Sequence, residues 1–337
     1  MSDGQPTETT TFVVLWREPL VCVISAGWGS GWGARMAVQM AEGRECHIIT
    51  RLTNRLDIVA ADIAGLNEGL KREAPNATLW SLVPYQSDAP VVEALGVGAI
   101  WATPTAFVDE RIYYPELEQP KLYDAVHNAR TEGDKRHELA LGVNNLALIS
   151  YPAFAESEPV NVVAARYRSL SYVNWSEAAG HRFLAPSDVR RLVNQSRCGL
   201  LLSAVEGANN ASVEYFLCGI PLVTTPSEGG RDVMYDSRYV TVVAPSAEAV
   251  EAAVAAYRVS APDPLEIHAA ALAKARPHRQ RLIAWLSERA GRDLTALADG
   301  NLWLPQFHDK LRQIWFIDSL PGGGRRARPY QIPAATP

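Results

Sequence analysis

SAVEGANNASVEYFLCGIPLVTT, residues 203–225, is the stretch on which the reading of the chain turns. The apolar run that leads into it, CGLLLSAV (198–205), reads as a buried strand. NASVEYFLCG (210–219) reads as a helix ending at Gly219, and PLVTTP (221–226) as the next strand. Strand, small-residue loop, helix and strand in this order make a βαβ unit of a parallel sheet. Two carboxylates lie in it, Glu206 in the loop and Glu214 on the helix. The amides that open the helix, at Asn209, Asn210, Ala211 and Ser212, form a ready anion site. A carboxylate before the helix and another within it can hold one ligand from two sides, with an anion on the amides between them. That suits a sugar at one end, a diphosphate in the middle and a ribose at the other, since carboxylates accept well from sugar hydroxyls.

The same alternation extends outward in both directions. Downstream come YVTVVA (239–244) as a strand and SAEAVEAAVAAYRV (246–259) as a helix capped by Ser246. Upstream lie a helix, SDVRRLVNQS (187–196), with Ser187 or Asp188 as its cap, and strands SLSYVNW (169–175), LALISYPA (146–153) and KLYDAVHNA (121–129). DKRHELALGVNNL (134–146) is predicted to be helical. Arg130 ends its strand and Lys135 follows five positions later, so two cations stand at the mouth of a βα loop, placed to neutralise a diphosphate. A plain solvated helix start is the bland alternative for that pair. TTPSEGGRDVMYD (224–236) reads as a loop, with Ser227, Gly229, Gly230 and Arg231 either touching a ligand or simply exposed.

The first hundred residues repeat the pattern more loosely. PLVCVISA (19–26) is read as the first strand, followed by the glycine cluster GWGSGWG (27–33) and a helix. In the cluster Gly27 and Gly29 would let the backbone approach a phosphate or sugar. Leu56, Val59, Ala60, Ile63, Leu66 and Leu70 have helical spacing. Two prolines in Tyr113–Pro120 suggest a linker, so residues 1–115 and 120–320 are expected as two doubly wound domains, with a ligand in the cleft between them and a flexible tail over 321–337.

Composition narrows the function. Of 337 residues 47% are hydrophobic and 20% charged, with a net charge of −5. This excludes a largely disordered chain and disfavours a protein that coats nucleic acid. No apolar run reaches membrane-helix length and the N-terminus has no secretory pattern, so a cytoplasmic protein is expected, with peripheral contact at the inner membrane face left open. The four cysteines form no CxxC pair and no Cys/His cluster has ligand spacing, so reduced buried thiols and no metal site are expected.

The second half resembles the C-terminal domain of GT-B glycosyltransferases, in particular the retaining group 1 (family 4) type. Glu206 and Glu214 match that family's E-x7-E motif, and Cys218-Gly-Ile-Pro-Leu-Val223 its continuation. Arg130 and Lys135 match its GR-x4-K pair in spacing, with Ala129 in place of the glycine. Phe107-Val-Asp109 through Pro115 resembles the segment ahead of that domain. The resemblance implies an α/β fold of the GT-B class and a glycosyltransferase. Its donor would be a nucleotide-sugar, UDP- or GDP-linked, and it would need no other cofactor. Glu206 would hold the donor sugar, Glu214 the ribose, and Arg130 with Lys135 the diphosphate. The acceptor would be a glycan or lipid-linked precursor, with a modified DNA base or an inactive sugar-binding subunit as alternatives.

Overall fold

The computed structural model describes residues 8–26, 30–52, 55–152, 157–298, 314–319 and 325–329. It divides into two units, one of residues 1–107 with 276–337 and one of residues 108–275.

The first unit opens with β1 (Glu8–Arg17), paired antiparallel with β2 (Leu20–Ser25). The run expected as the first strand is therefore the second. β1 was hidden by its threonines, which read as a polar N-terminus, although Phe12 and Leu15 are buried. Then follow α1 (Ser30–Ala41), β3 (Cys46–Arg51), α2 (Leu56–Glu73), β4 (Ala77–Val83), α3 (Ala89–Ala94) and β5 (Gly98–Trp101). β2, β3, β4 and β5 pair in parallel in that order. The helical spacing read in α2 is real, with Val59, Ile63 and Leu70 buried. Gly31 and Gly33 are part of α1, not of a loop. A Cβ on Gly33 would stand 2.6 Å from Ile24, so this glycine lets α1 lie close on β2. Gly27 and Gly29 lie outside the described residues.

The second unit carries β6 (Tyr123–Arg130), β7 (Leu146–Tyr151), α4 (Val160–Arg166), a small hairpin of β8 (Trp175–Ser176) and β9 (Gly180–His181), α5 (Pro186–Asn194), β10 (Ser196–Leu201), α6 (Asn210–Leu217), β11 (Leu222–Thr224), β12 (Val240–Val242) and α7 (Ala247–Val259). Its main sheet has the order β12-β11-β10-β6-β7 and is parallel throughout. The chain runs from β6 to one side and later from β10 to the other. The topological switch point, where such sheets bind ligands, thus lies at the carboxyl ends of β6 and β10. Ala125, Leu146, Leu148, Cys198, Leu200 and Val223 fill the core beneath, closed by Val250 and Val254 of α7. All four cysteines are free and buried.

Three expectations for this unit are corrected. Residues 134–146 are not one helix but two short 3-10 turns, Gly133–Lys135 and His137–Ala140, separated by Arg136 in the left-handed region (φ 50°). The turn sends the Arg136 guanidinium to the Leu202 carbonyl (2.5 Å) and to Thr225 Oγ1 (2.6 Å), a bond that a continuous helix would forgo. Residues 169–175 form a bend with one isolated bridge, Leu148 to Tyr172, before β8. α5 starts at Pro186 after Ala185, so neither Ser187 nor Asp188 caps it. Ser246 does cap α7, its Oγ accepting from the Ala249 amide at 3.2 Å.

α8 (Pro264–Ala290) begins in the second unit and ends in the first, with Pro277 inside it close to the boundary. Beyond the boundary Arg279 donates to the Ala106 carbonyl (2.7 Å), and Arg281 stacks 3.7 Å over Trp101 while donating to its carbonyl. β13 (Ile314–Ser319) pairs antiparallel with β1, and β14 (Arg325–Pro329) with β13. The first sheet therefore reads β14-β13-β1-β2-β3-β4-β5. The expected division at 120–320 is corrected on its C-terminal side, because the second unit ends at Ala275 and the chain returns to the first. The expected flexible tail contains β14 at its centre, while residues 320–324 and 330–337 lie outside the described residues.

Candidate active site

The site is built on the carboxyl edge of the second sheet. Tyr215 is fully buried and its ring lies against Gly199 of β10, where a Cβ would come within 2.1 Å of it. Its hydroxyl accepts from the Asn128 amide of β6 at 2.8 Å. This residue seats α6 on two strands at once and fixes the position of its neighbour Glu214. Asn128 also donates its side-chain amide toward Glu214 Oε2 at 3.5 Å. Burial pushes the Glu214 carboxyl up to about 7, while hydrogen bonds from Tyr113 and Asn128 pull it back down. Tyr113 comes from the expected linker and is itself buried.

Glu206 follows β10. Its Oε2 accepts from Lys135 Nζ at 3.0 Å and from Ser203 Oγ at 2.5 Å, a charge-assisted length. Lys135 is buried and also reaches Asp134 at 3.2 Å, so it is a cation already held between two carboxylates. Arg130, the last residue of β6, pairs with Glu132 at 3.3 Å and retains partial access to solvent. In register with Arg130 across the sheet stands Tyr151, the last residue of β7. Burial raises its hydroxyl to about 12, and the charges of Glu214, Arg130, Glu206 and Glu132 all act on it. One phenol thus senses the charges of both glutamates and of the strand-end arginine.

Beneath the loop sit two buried imidazoles, His127 and His137, ring centroids 5.2 Å apart. His137 Nε2 donates to the Arg130 carbonyl (2.8 Å), tying down the loop that presents Arg130 and Lys135. His127 Nδ1 donates to the Leu200 carbonyl (3.2 Å), and burial lowers its pKa to about 3.

Residues 150–287 match the family described as glycosyl transferase-like. Solved structures agree on the fold. Anabaena HepE in complex with UDP superposes with a TM-score of 0.54 at 14% identity, over 79% of this chain and 78% of that one. HepE with UDP-glucose gives 0.51 at 14%, over 80% and 77%. Sucrose-phosphate synthase from Thermosynechococcus elongatus gives 0.51 at 12%, over 82% and 74%. The fold is that of the GT-B glycosyltransferases. No curated protein sequence matches the chain.

The structure joins Lys135 to Glu206 directly, and Arg130, Glu206 and Glu214 all act electrostatically on Tyr151. Of the four expected helix-start residues, Asn209 serves as cap and its Oδ1 accepts the Ser212 amide at 3.0 Å. The Ser212 amide is therefore already used, and Asn210 and Ala211 are left as the opening residues of α6. Sequence reasoning missed Asn128, Tyr151, Tyr113 and Ser203. Of these only Ser203, three positions before Glu206, lies within residues 203–225. Arg231, expected either to touch a ligand or to be exposed in a loop, is buried and holds the ends of β10 and β11. Among the described residues no group of His, Cys, Asp and Glu is placed to hold a metal ion, and no helix is long and apolar enough to cross a membrane.

Proposed function

We propose that the chain transfers a sugar from a nucleotide-sugar donor to an acceptor hydroxyl, with retention at the anomeric carbon and with no cofactor beyond the donor. The carrying observation is the pair of carboxylates on either side of the α6 start, Glu206 clamped by Lys135 and Ser203, and Glu214 beside Asn128 and Tyr113. Glu214 would accept from the ribose hydroxyls and Glu206 from the donor sugar. Arg130 and the remaining donor capacity of Lys135 would face the diphosphate, as would the Asn210 and Ala211 amides. The bond between anomeric carbon and diphosphate oxygen breaks, and the acceptor oxygen bonds to the same face of the sugar. The acceptor proton passes to the departing phosphate, so the protein contributes position and charge stabilisation rather than a strong base. The HepE structures contain UDP and UDP-glucose, which favours a uridine-linked donor. A surface glycan or glycolipid precursor is the acceptor class proposed.

Thermal unfolding with UDP, GDP and ADP, and with the glucose conjugate of each, tests this. A bound donor at about 100 times its Kd adds about 2.7 kcal/mol and raises Tm by several degrees. Glu206→Ala should abolish sugar transfer with the fold retained. No stabilisation by any of the six compounds, or full transfer by Glu206→Ala, refutes the proposal.

A further inference from the structure

We infer that Arg231, acting through Ser203, sets the orientation of the Glu206 carboxylate and so selects the oxygen that meets the donor sugar. This rests on the reading of Glu206 as the sugar-binding carboxylate.

Arg231 is only 4% exposed. Its Nη1 donates to the Ser203 carbonyl at 2.9 Å and to Ser203 Oγ at 3.0 Å. Its Nη2 donates to Thr224 Oγ1 at 2.8 Å and to the Thr225 carbonyl. All four bonds go to uncharged groups at the carboxyl ends of β10 and β11. A buried guanidinium is costly to desolvate, and burial does lower its pKa. Holding neutral strand ends would not by itself call for a full charge.

The fork has a directional consequence. A serine hydroxyl has one proton. Because Arg231 donates to Ser203 Oγ, that proton is free to go to Glu206 Oε2, 2.5 Å away. Lys135 donates to the same Oε2. Two donors on one oxygen stop the carboxylate from turning about its last bond and leave Oε1 outside both contacts. The main chain is pinned by the same segment. The Glu206 amide donates to the Glu228 carbonyl (2.8 Å) and the Glu228 amide to the Ala204 carbonyl (3.0 Å). Gly229, at φ +111°, lies so close to the Glu206 carbonyl that a Cβ would come within 1.9 Å of it. Residues 228–231 therefore hold Glu206 by both backbone and side chain. Arg231 is a positioning residue, since it reaches the ligand only through Ser203 and Glu206.

The test compares wild type with Ser203→Ala, which removes the hydroxyl relay, and Arg231→Lys, which keeps the charge but loses the fork. Two quantities are read: Kd for UDP, GDP and ADP, and the rate of glucose release from the glucose conjugate of each. Orientation of a sugar-facing oxygen predicts a fall of about tenfold or more in the release rate in both variants, the loss expected for one charged hydrogen bond, with nucleotide Kd within about twofold of wild type. Equal losses in Kd and rate would make Arg231 purely structural, and unchanged rates would remove the relay; either overturns the inference. Should Arg231→Lys fail to fold, Ser203→Ala decides alone. If wild type binds none of the nucleotides, the functional proposal itself fails and the inference falls with it.

Discussion

Replacing Glu214 with glutamine should stabilise the protein at alkaline pH and weaken its hold on nucleotide. In the folded chain burial keeps the Glu214 proton in place up to about pH 7, against an ordinary value of 4.5. Between those two pH values the folded state binds more protons than the unfolded state. Stability therefore falls as pH rises through this window, and the cost of the buried charge is complete above about 7. Each pH unit of the interval is worth about 1.4 kcal/mol, so ionised Glu214 costs the fold about 3 kcal/mol. Glutamine has the same shape, keeps an acceptor for Asn128 and Tyr113, and has no proton to lose. At about pH 8 the variant should melt about 4 °C higher, at about 1.4 °C per kcal/mol for 337 residues with an unfolding entropy of about 2.1 cal/mol/K each. Near pH 4.5 the two proteins should melt within about a degree or two of each other, because wild type is then mostly protonated when folded. Nucleotide affinity should move the other way. An ionised acceptor binds ribose hydroxyls more strongly than an amide does, so the variant should bind about tenfold more weakly at about pH 8. Calorimetry across this pH range reads both effects. A variant that is less stable than wild type at about pH 8, or equally more stable at both ends, would refute the claim that Glu214 carries a buried charge.

Arg130→Ala should weaken nucleoside diphosphate binding by about tenfold while changing stability by less than about 1 kcal/mol, since its ion pair with Glu132 is partly exposed; titration calorimetry and melting read the two. Gly229→Ala should cost more than about 2 kcal/mol and remove nucleotide-dependent stabilisation, because the new methyl must displace the Glu206 carbonyl at a backbone angle that only glycine takes easily; wild-type melting would contradict it. His127 should stay neutral with its proton on Nδ1 at about pH 5, and stability should decline as pH drops below 6.5, where the unfolded chain takes up the proton first; an NMR titration midpoint near 6.5 in the folded protein would contradict this.

What the sequence revealed was mainly the parts whose signal is local. β6, β7, β10 and β11 are short apolar runs flanked by turn residues, and the glutamates occupy one contiguous strand–loop–helix. Ser246 announced α7 because its cap bond spans three residues. The rest depends on contacts between distant segments. Tyr151 looks like any strand-end aromatic until its strand is placed beside β6. Arg231 looks like a loop residue because its partners, Ser203, Thr224 and Thr225, converge only when β10 and β11 lie side by side. The DKRHELA stretch has fair helix formers, yet the reach of Arg136 to Leu202 and Thr225 breaks it into two turns. β13 owes its extended form to pairing that no local signal announces, with β1 some three hundred positions earlier and with β14 after it.

That late partner for β1 bears on how the molecule is made. On the ribosome the whole of residues 108–275 emerges before Ile314 does, so the second unit has every residue of its own sheet available while the first still lacks two strands. Until then the outer backbone groups of β1 face water as an unprotected template for other chains. Newly synthesised or truncated molecules that stop short of β13 should therefore be the aggregation-prone species, with β1 the seam along which they stick.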